Sequence, residues 1–211
     1  INDYNKKCKF FFASSALIFK ASANKLKENS KKQPDELYSF FKNETMKQCS
    51  YYRNKKKLFV NVGILFNHES EFRKQNFLSK KIIHHAINNY RGSKKKLIIG
   101  SINSKIDWSY AYDIVDAILL IQELKRSDEY IISSGTGHTI KEFLDITYSY
   151  LGLNYAEYIK LDKNIIFRKF GLRIGNPSKI KKLTGWEPKT SFKQMIYNII
   201  DLSLNKDQIN N

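Results

Sequence analysis

A chain of 211 residues, 42% of them hydrophobic, can close one substantial core with a small appendage, and no apolar run reaches the roughly 18 residues that span a bilayer, which excludes a transmembrane helix; no membrane partner is expected. Cys8 and Cys49 alone are too few for a disulfide framework and fit a reducing compartment, so a cytoplasmic location is expected. The 37 lysines and arginines against 20 acids give a net charge of +17, but the excess is mostly scattered lysine, in runs such as NKKKL at 54–58 and SKKKL at 93–97 that read as solvated turns before strands, so nucleic-acid binding is not expected.

The first apolar run, FFFASSALIF at 10–19, has basic residues before it and ASA at 21–23 after it, which imitates a secretory signal. Lys20 interrupts that junction, and a strand over 9–13 is expected instead. Pro34, Asp35 and Glu36 suit the first turn of a helix over about 35–53. The β-branched run LFVNVGIL at 58–65 predicts a strand, followed by a helix over 75–91, a short strand at 97–99, a helix over 109–125 and a strand at 129–132.

In SSGTGHTIKEF at 133–143 a strand runs into Gly135-x-Gly137 and a helix, the setting of a dinucleotide-binding turn. Ile140 stands where a third small residue belongs, so a plain capped connection is expected, with Thr139 and Glu142 as a capping box for a helix over 139–151. Beyond Gly152 come two short extended pieces near 158–162 and 165–174 and two final helices, the first capped by Asn176, opened by Pro177 and closed by Gly185. Alternating strands and helices predict an α/β fold with a mainly parallel sheet over 1–152 and a small α+β lobe over 153–211. The four histidines lack ligand spacing, and no metal site is expected.

One local pair carries chemistry. In LYSFFK at 37–42, Tyr38 and Lys42 stand one helical turn apart and share a face. A phenol ionises near pH ~10, so its use as a base at neutral pH asks for roughly 4 kcal/mol, and a cation one turn away in a partly dry cleft acts in that direction. A hydroxyl at the preceding strand end, Ser14 or Ser15, would hold a substrate alcohol against the phenol.

The strand ending in ASS, the polar loop, the Tyr-x-x-x-Lys helix and the strand LFVNVGILFNHES together resemble the extended short-chain dehydrogenase/reductases. GILFNHES at 63–70, NFLSKKI at 76–82, LIIGSINSKIDWSYAYDIVDAI at 97–118, YIISSGTGHTIKEF at 130–143 and GNPSKIKKLTGWEPKTSF at 175–192 are similar, more narrowly, to the GDP-mannose 4,6-dehydratase family, in order along nearly the whole chain. The resemblance implies a partial Rossmann-like fold and NADP as cofactor, with a hydride taken from C4 of a nucleotide sugar, water lost across C5 and C6, and the hydride returned at C6. It assigns Tyr38 as the base on the 4-hydroxyl, Lys42 as its activating cation and ribose contact, and Ser15 as the hydrogen bond to the 4-oxygen, a position where the family usually has threonine. It assigns Tyr38, Lys42, His68 and Arg73 to the cofactor, and Asn67, Leu78, Lys81 and Arg168 to a GDP-mannose-type substrate, Arg168 meeting the diphosphate. A homo-oligomer is implied for the full-length protein.

The chain departs from the family pattern in four places. Leu17 stands where the family's C5 base, a glutamate, belongs; Ile106 and Gly137 replace an arginine and an acid of the substrate grip; the loop at 160–174 is short and lacks its acidic residue; and the front βαβαβ half with its Gly-rich turn is absent from these residues, leaving an expected unpaired sheet edge. A 4-keto-reductase or epimerase on the same scaffold, and a non-catalytic sugar-nucleotide-binding remnant, therefore stand beside the dehydratase.

Overall fold

The computed structural model describes residues 1, 5–162, 164, 165 and 171–209, with side chains through residue 205. Its first elements are β1 (Lys9–Ser15), a 3₁₀ turn at Ala16–Ile18, α1 (Leu37–Asn54), β2 (Phe59–Leu65), β3 (Asn67–Glu69), α2 (Leu78–Tyr90), β4 (Leu97–Ile99), β5 (Lys105–Tyr110) and α3 (Ala111–Gln122). They are followed by β6 (Glu129–Ile132), β7 (Gly137–Thr139), α4 (Ile140–Tyr150), α5 (Tyr155–Tyr158), β8 (Ile159–Leu161), α6 (Ser178–Thr184) and α7 (Phe192–Ile209). The chain divides into two compact units, the first built from Ile1–His68, Asp107–Thr136 and Gly171–Lys189, the second from Glu69–Ile106, Gly137–Phe170 and Thr190–Asn211.

The first unit is a parallel sheet in the order β1-β2-β6, with Lys9 opposite Phe59 through Ser15 opposite Leu65, and Val62 opposite Glu129 through Leu65 opposite Ile132. Five consecutive residues of β2 are buried, as in a central parallel strand covered on both faces. Strand parity sorts the two faces. Val60, Val62 and Ile64 join Phe12, Met46 and Cys49 on the α1 side, whereas Leu65 joins Phe11, Tyr130, Ile132 and the α3 residues Ile114, Ala117 and Ile121 on the other. Gly63 lies on the second face directly under Phe11; a Cβ there would stand 2.7 Å from the Phe11 ring, so the close approach selects glycine. Asn61, fully buried in the same strand, spends its amide on the Ile121 carbonyl at 2.7 Å and accepts the Asp128 N–H at 2.9 Å.

The second unit packs α2, α4 and α7 through apolar residues at helical spacing: Ile82, Ile83, Ala86 and Ile87; Ile140, Phe143, Leu144 and Tyr148; Met195, Ile196, Ile199 and Ile200. It also pairs β4 with β8 in parallel. Buried Asn89 accepts the Tyr148 hydroxyl at 3.1 Å and donates to the Ser93 and Lys95 carbonyls, closing the turn after α2.

The α/β fold with mainly parallel strands is as the sequence predicts, and several boundaries move. The first helix begins at Leu37, because Glu36 is held extended with its N–H on Ser39 Oγ at 3.2 Å, so Pro34, Asp35 and Glu36 precede the helix instead of forming its first turn. The helix expected from 109 starts at Ala111, since buried Ser109 and Tyr110 belong to β5. The capping box of α4 forms with both bonds, Glu142 N–H to Thr139 Oγ1 at 3.0 Å and Thr139 N–H to Glu142 Oε2 at 2.6 Å. Gly185 closes α6 at φ 73°, and Asn176 Oδ1 accepts the Ser178 N–H at 3.0 Å. Of the extended piece expected at 165–174, residues 166–170 lie outside the described residues. No described helix is long and apolar enough to cross a membrane.

Candidate active site

Because the strands of the first unit are parallel and in register, β1, β2 and β6 all end at one edge, at Ser15, Leu65 and Ile132. Ligands of open α/β sheets bind outside that carboxyl edge. Ser15, Asn67 and His68 stand there by chain position. The helix α1 begins there too, since the Lys42 ammonium donates to the Ala13 carbonyl of β1 at 2.7 Å.

Tyr38 and Lys42 share one face: the ammonium lies 5.6 Å from the centre of the Tyr38 ring and 5.0 Å from that of Phe12. Tyr38 is 53% exposed, open to solvent. Strand parity separates the two serines. Ser14 is 4% exposed with its hydroxyl on Met46 Sδ at 2.9 Å, under α1. Ser15 is half-buried and its Oγ accepts the Leu17 N–H at 3.2 Å, which leaves its own proton to donate. Leu17 is half-buried in the 3₁₀ turn, flanked by the buried Ala16 and Ile18. Beyond β2, Asn67 is exposed, and His68 Nδ1 lies 2.9 Å from the Phe66 carbonyl; a carbonyl only accepts, so Nδ1 carries the proton.

Arg73, Leu78 and Lys81 belong to the second unit. Arg73 Nε lies 3.3 Å from Glu69 Oε2, and its guanidinium sits 3.5 Å from the centre of the Phe77 ring. Leu78 is the half-buried first residue of α2, and Lys81, one turn on, is exposed. Arg168 lies outside the described residues.

Two organising residues escape a reading of the sequence. Asp107, fully buried, accepts the Ser134 N–H at 3.0 Å, the Ser134 hydroxyl at 2.6 Å, the Gly135 N–H at 3.2 Å and the Gly175 N–H at 3.0 Å. Burial holds its carboxyl above the ordinary aspartate range, and those four donors offset only part of that rise. The Gly135-x-Gly137 sequence that imitates a phosphate-binding turn thus wraps the protein's own carboxylate, with Gly135 at φ 75°. Arg173, the second such residue, donates from Nε to the Phe19 carbonyl at 2.9 Å and approaches Asp35 Oδ2 at 3.8 Å, tying the chain just past the Ser15 turn to the loop that enters α1. An arginine among so many lysines was the available signal for Arg173. The most perturbed phenols are core residues: Tyr130 is pushed up to about 12, chiefly by burial, and Tyr148 is raised by burial.

Solved structures share this architecture. The protein RMD from Pseudomonas aeruginosa, solved with NADPH, superposes with a TM-score of 0.85 at 20% identity, covering 92% of this chain and 65% of that one. dTDP-glucose 4,6-dehydratase from Bacillus anthracis, solved with NAD, gives 0.83 at 20% identity, covering 95% and 63%. At such identities the likeness defines the fold, that of the Rossmann-like short-chain dehydratases and epimerases. A family model described as GDP-mannose 4,6 dehydratase matches residues 1–199, and GDP-mannose 4,6 dehydratase 2 of Arabidopsis thaliana is 32% identical over 204 residues, 96% of this chain. The chain belongs to the GDP-mannose 4,6-dehydratase family. It spans 54% of that relative, about half its length.

Proposed function

We propose that the chain is the C-terminal part of an NADP-dependent nucleotide-sugar 4,6-dehydratase that acts on GDP-mannose through transient oxidation at C4. The observation that carries the reading is the shared face of Tyr38 and Lys42 beside the strand end that bears Ser15. The residues fit the nicotinamide end of the cofactor: an ammonium fixed by the Ala13 carbonyl keeps further N–H groups for ribose hydroxyls, next to a phenol open to solvent. Tyr38, Lys42, His68 and Arg73 would hold it. When bound, NADP supplies the hydride acceptor.

Ser15 then donates to the sugar 4-oxygen, and Tyr38 takes the proton of the 4-hydroxyl as C4 becomes a ketone. The Lys42 ammonium stabilises the phenolate from which Tyr38 accepts that proton, the charge being discharged as the proton arrives. Asn67, Leu78, Lys81 and Arg168 are the proposed substrate contacts. A homo-oligomer and a cytoplasmic site of action belong to the same reading.

The second step needs a base at C5, where a hydrocarbon side chain accepts no proton. With Leu17 at that position, elimination loses a general base and about 10²- to 10⁴-fold in rate. Its place in the 3₁₀ turn between Ala16 and Ile18 favours the second reading, a 4-keto-reductase or epimerase that needs no such base. Incubating the protein with GDP-mannose and NADP and analysing products by mass spectrometry separates the two. A 4-keto-6-deoxy sugar supports the dehydratase, whereas turnover only of an added keto-sugar supplied together with NADPH supports the reductase. GDP-sugar binding in calorimetry without NADP binding or turnover overturns both in favour of a binding module.

A further inference from the structure

The second unit holds a buried ion pair, one half of which, Glu69, has no part in the chemistry above. Glu69, the last residue of β3, is 3% exposed, a depth at which a carboxylate is costly unless a cation accompanies it. Arg73 supplies that cation at 3.3 Å, an ion pair without an aligned hydrogen bond. Backbone bonds from Arg73 N–H to the Ser70 carbonyl at 3.1 Å and from Phe77 N–H to the Lys74 carbonyl at 3.2 Å fold 70–77 into two successive turns, which bring positions 69, 73 and 77 together. The guanidinium is therefore held at its Nε edge by a carboxylate and on one face by the Phe77 ring. Neither contact uses the two terminal nitrogens, the edge that meets a phosphate in bidentate fashion. Burial holds the Glu69 carboxyl above the ordinary range, and Arg73 is the chief group that offsets part of that rise.

We propose that Glu69 is a positioning residue, fixing Arg73 against Phe77 so that its terminal nitrogens face a phosphate group of a bound dinucleotide. This rests on the reading of Arg73 as a cofactor contact, and its test separates the two. NADPH is titrated by fluorescence into the chain and into Glu69→Ala, Glu69→Gln, Phe77→Leu, Arg73→Ala and the Glu69→Ala/Arg73→Ala double variant, with circular dichroism melts on each.

Loss of a charge-assisted contact predicts about tenfold weaker binding for Arg73→Ala and several-fold weaker for Glu69→Ala, with Glu69→Gln restored to within about threefold because an oxygen of the same shape still stands beside Nε. In the Arg73→Ala background, Glu69→Ala should add nothing, a coupling that general destabilisation does not produce. If Glu69→Ala fails to fold, Phe77→Leu, which leaves the ion pair intact, should still weaken binding several-fold. Wild-type affinity in both Glu69→Ala and Phe77→Leu, or additive losses in the double variant, overturns the positioning role and leaves Arg73 as a contact. Wild-type affinity in Arg73→Ala overturns the cofactor reading and the proposal with it, as does a wild-type chain that binds no NADPH.

Discussion

Lys42 is immobilised by a backbone acceptor and two rings, and that arrangement dictates what its replacement does. Lys42→Met keeps the stem and removes the charge, and Tyr38→Phe keeps the ring and removes the acceptor. Each is expected to lower hydride exchange between the sugar C4 and NADP by ~10²-fold or more, and the half-exposed Tyr38 ring should leave the Tyr38→Phe melting midpoint close to wild type. Leu17→Glu is expected to create or raise formation of the 4-keto-6-deoxy product from GDP-mannose, read by mass spectrometry. Asp128 carries the pH dependence. Burial raises its carboxyl, but the Lys179 ammonium at 2.7 Å, the Glu129 N–H and Arg53 outweigh that and hold it below the ordinary aspartate range. A depressed carboxyl stabilises the fold above its unfolded value, near pH ~3.9, and the contribution is lost as pH falls through its folded value. Thermal melts of wild type and Asp128→Asn should therefore differ at pH 6 and converge on acidification. The Tyr38–Lys42 pair was legible because one helical turn is a local relation. Ser15 could not be chosen over Ser14 until α1 had covered one face of β1, and the partners of Asp107 lie 27, 28 and 68 residues away in sequence.

Elements of seven or more residues announced themselves, β1 and β2 as continuous apolar runs and α1 and α4 by helical period. β3 and β7, each three residues long, carry no readable alternation. β5 was masked because its last residues, Ser109 and Tyr110, continue the apolar pattern of α3. Helix ends were legible where a side chain caps its own neighbours: Thr139 and Glu142 act within a single turn, as a capping box requires. Thr139→Ala should cost about 1 kcal/mol, read as a lower urea midpoint at unchanged slope. At α1 a serine inside the helix took the amide of Glu36 and delayed the start, a competition that composition alone does not reveal.

At the scale of the whole molecule, no strand among the described residues pairs with the outer edge of β1, while β2 is bonded on both sides. Amide hydrogen exchange should show it, with alternate amides of β1 exchanging far faster than those of β2. Family membership and the parallel fold were both readable, because motifs spread from one end of the chain to the other and strand–helix alternation is a global pattern. What bonds to Gly135 was not readable, and it bears on the whole. Asp107 reaches that glycine turn on a tether, so a free phosphate seeking the same amides meets a rival at an effective concentration on the order of mM. Evicting that rival would strand a negative charge in a dry interior. The turn is plugged from within, and any incoming diphosphate must find its seat on other residues.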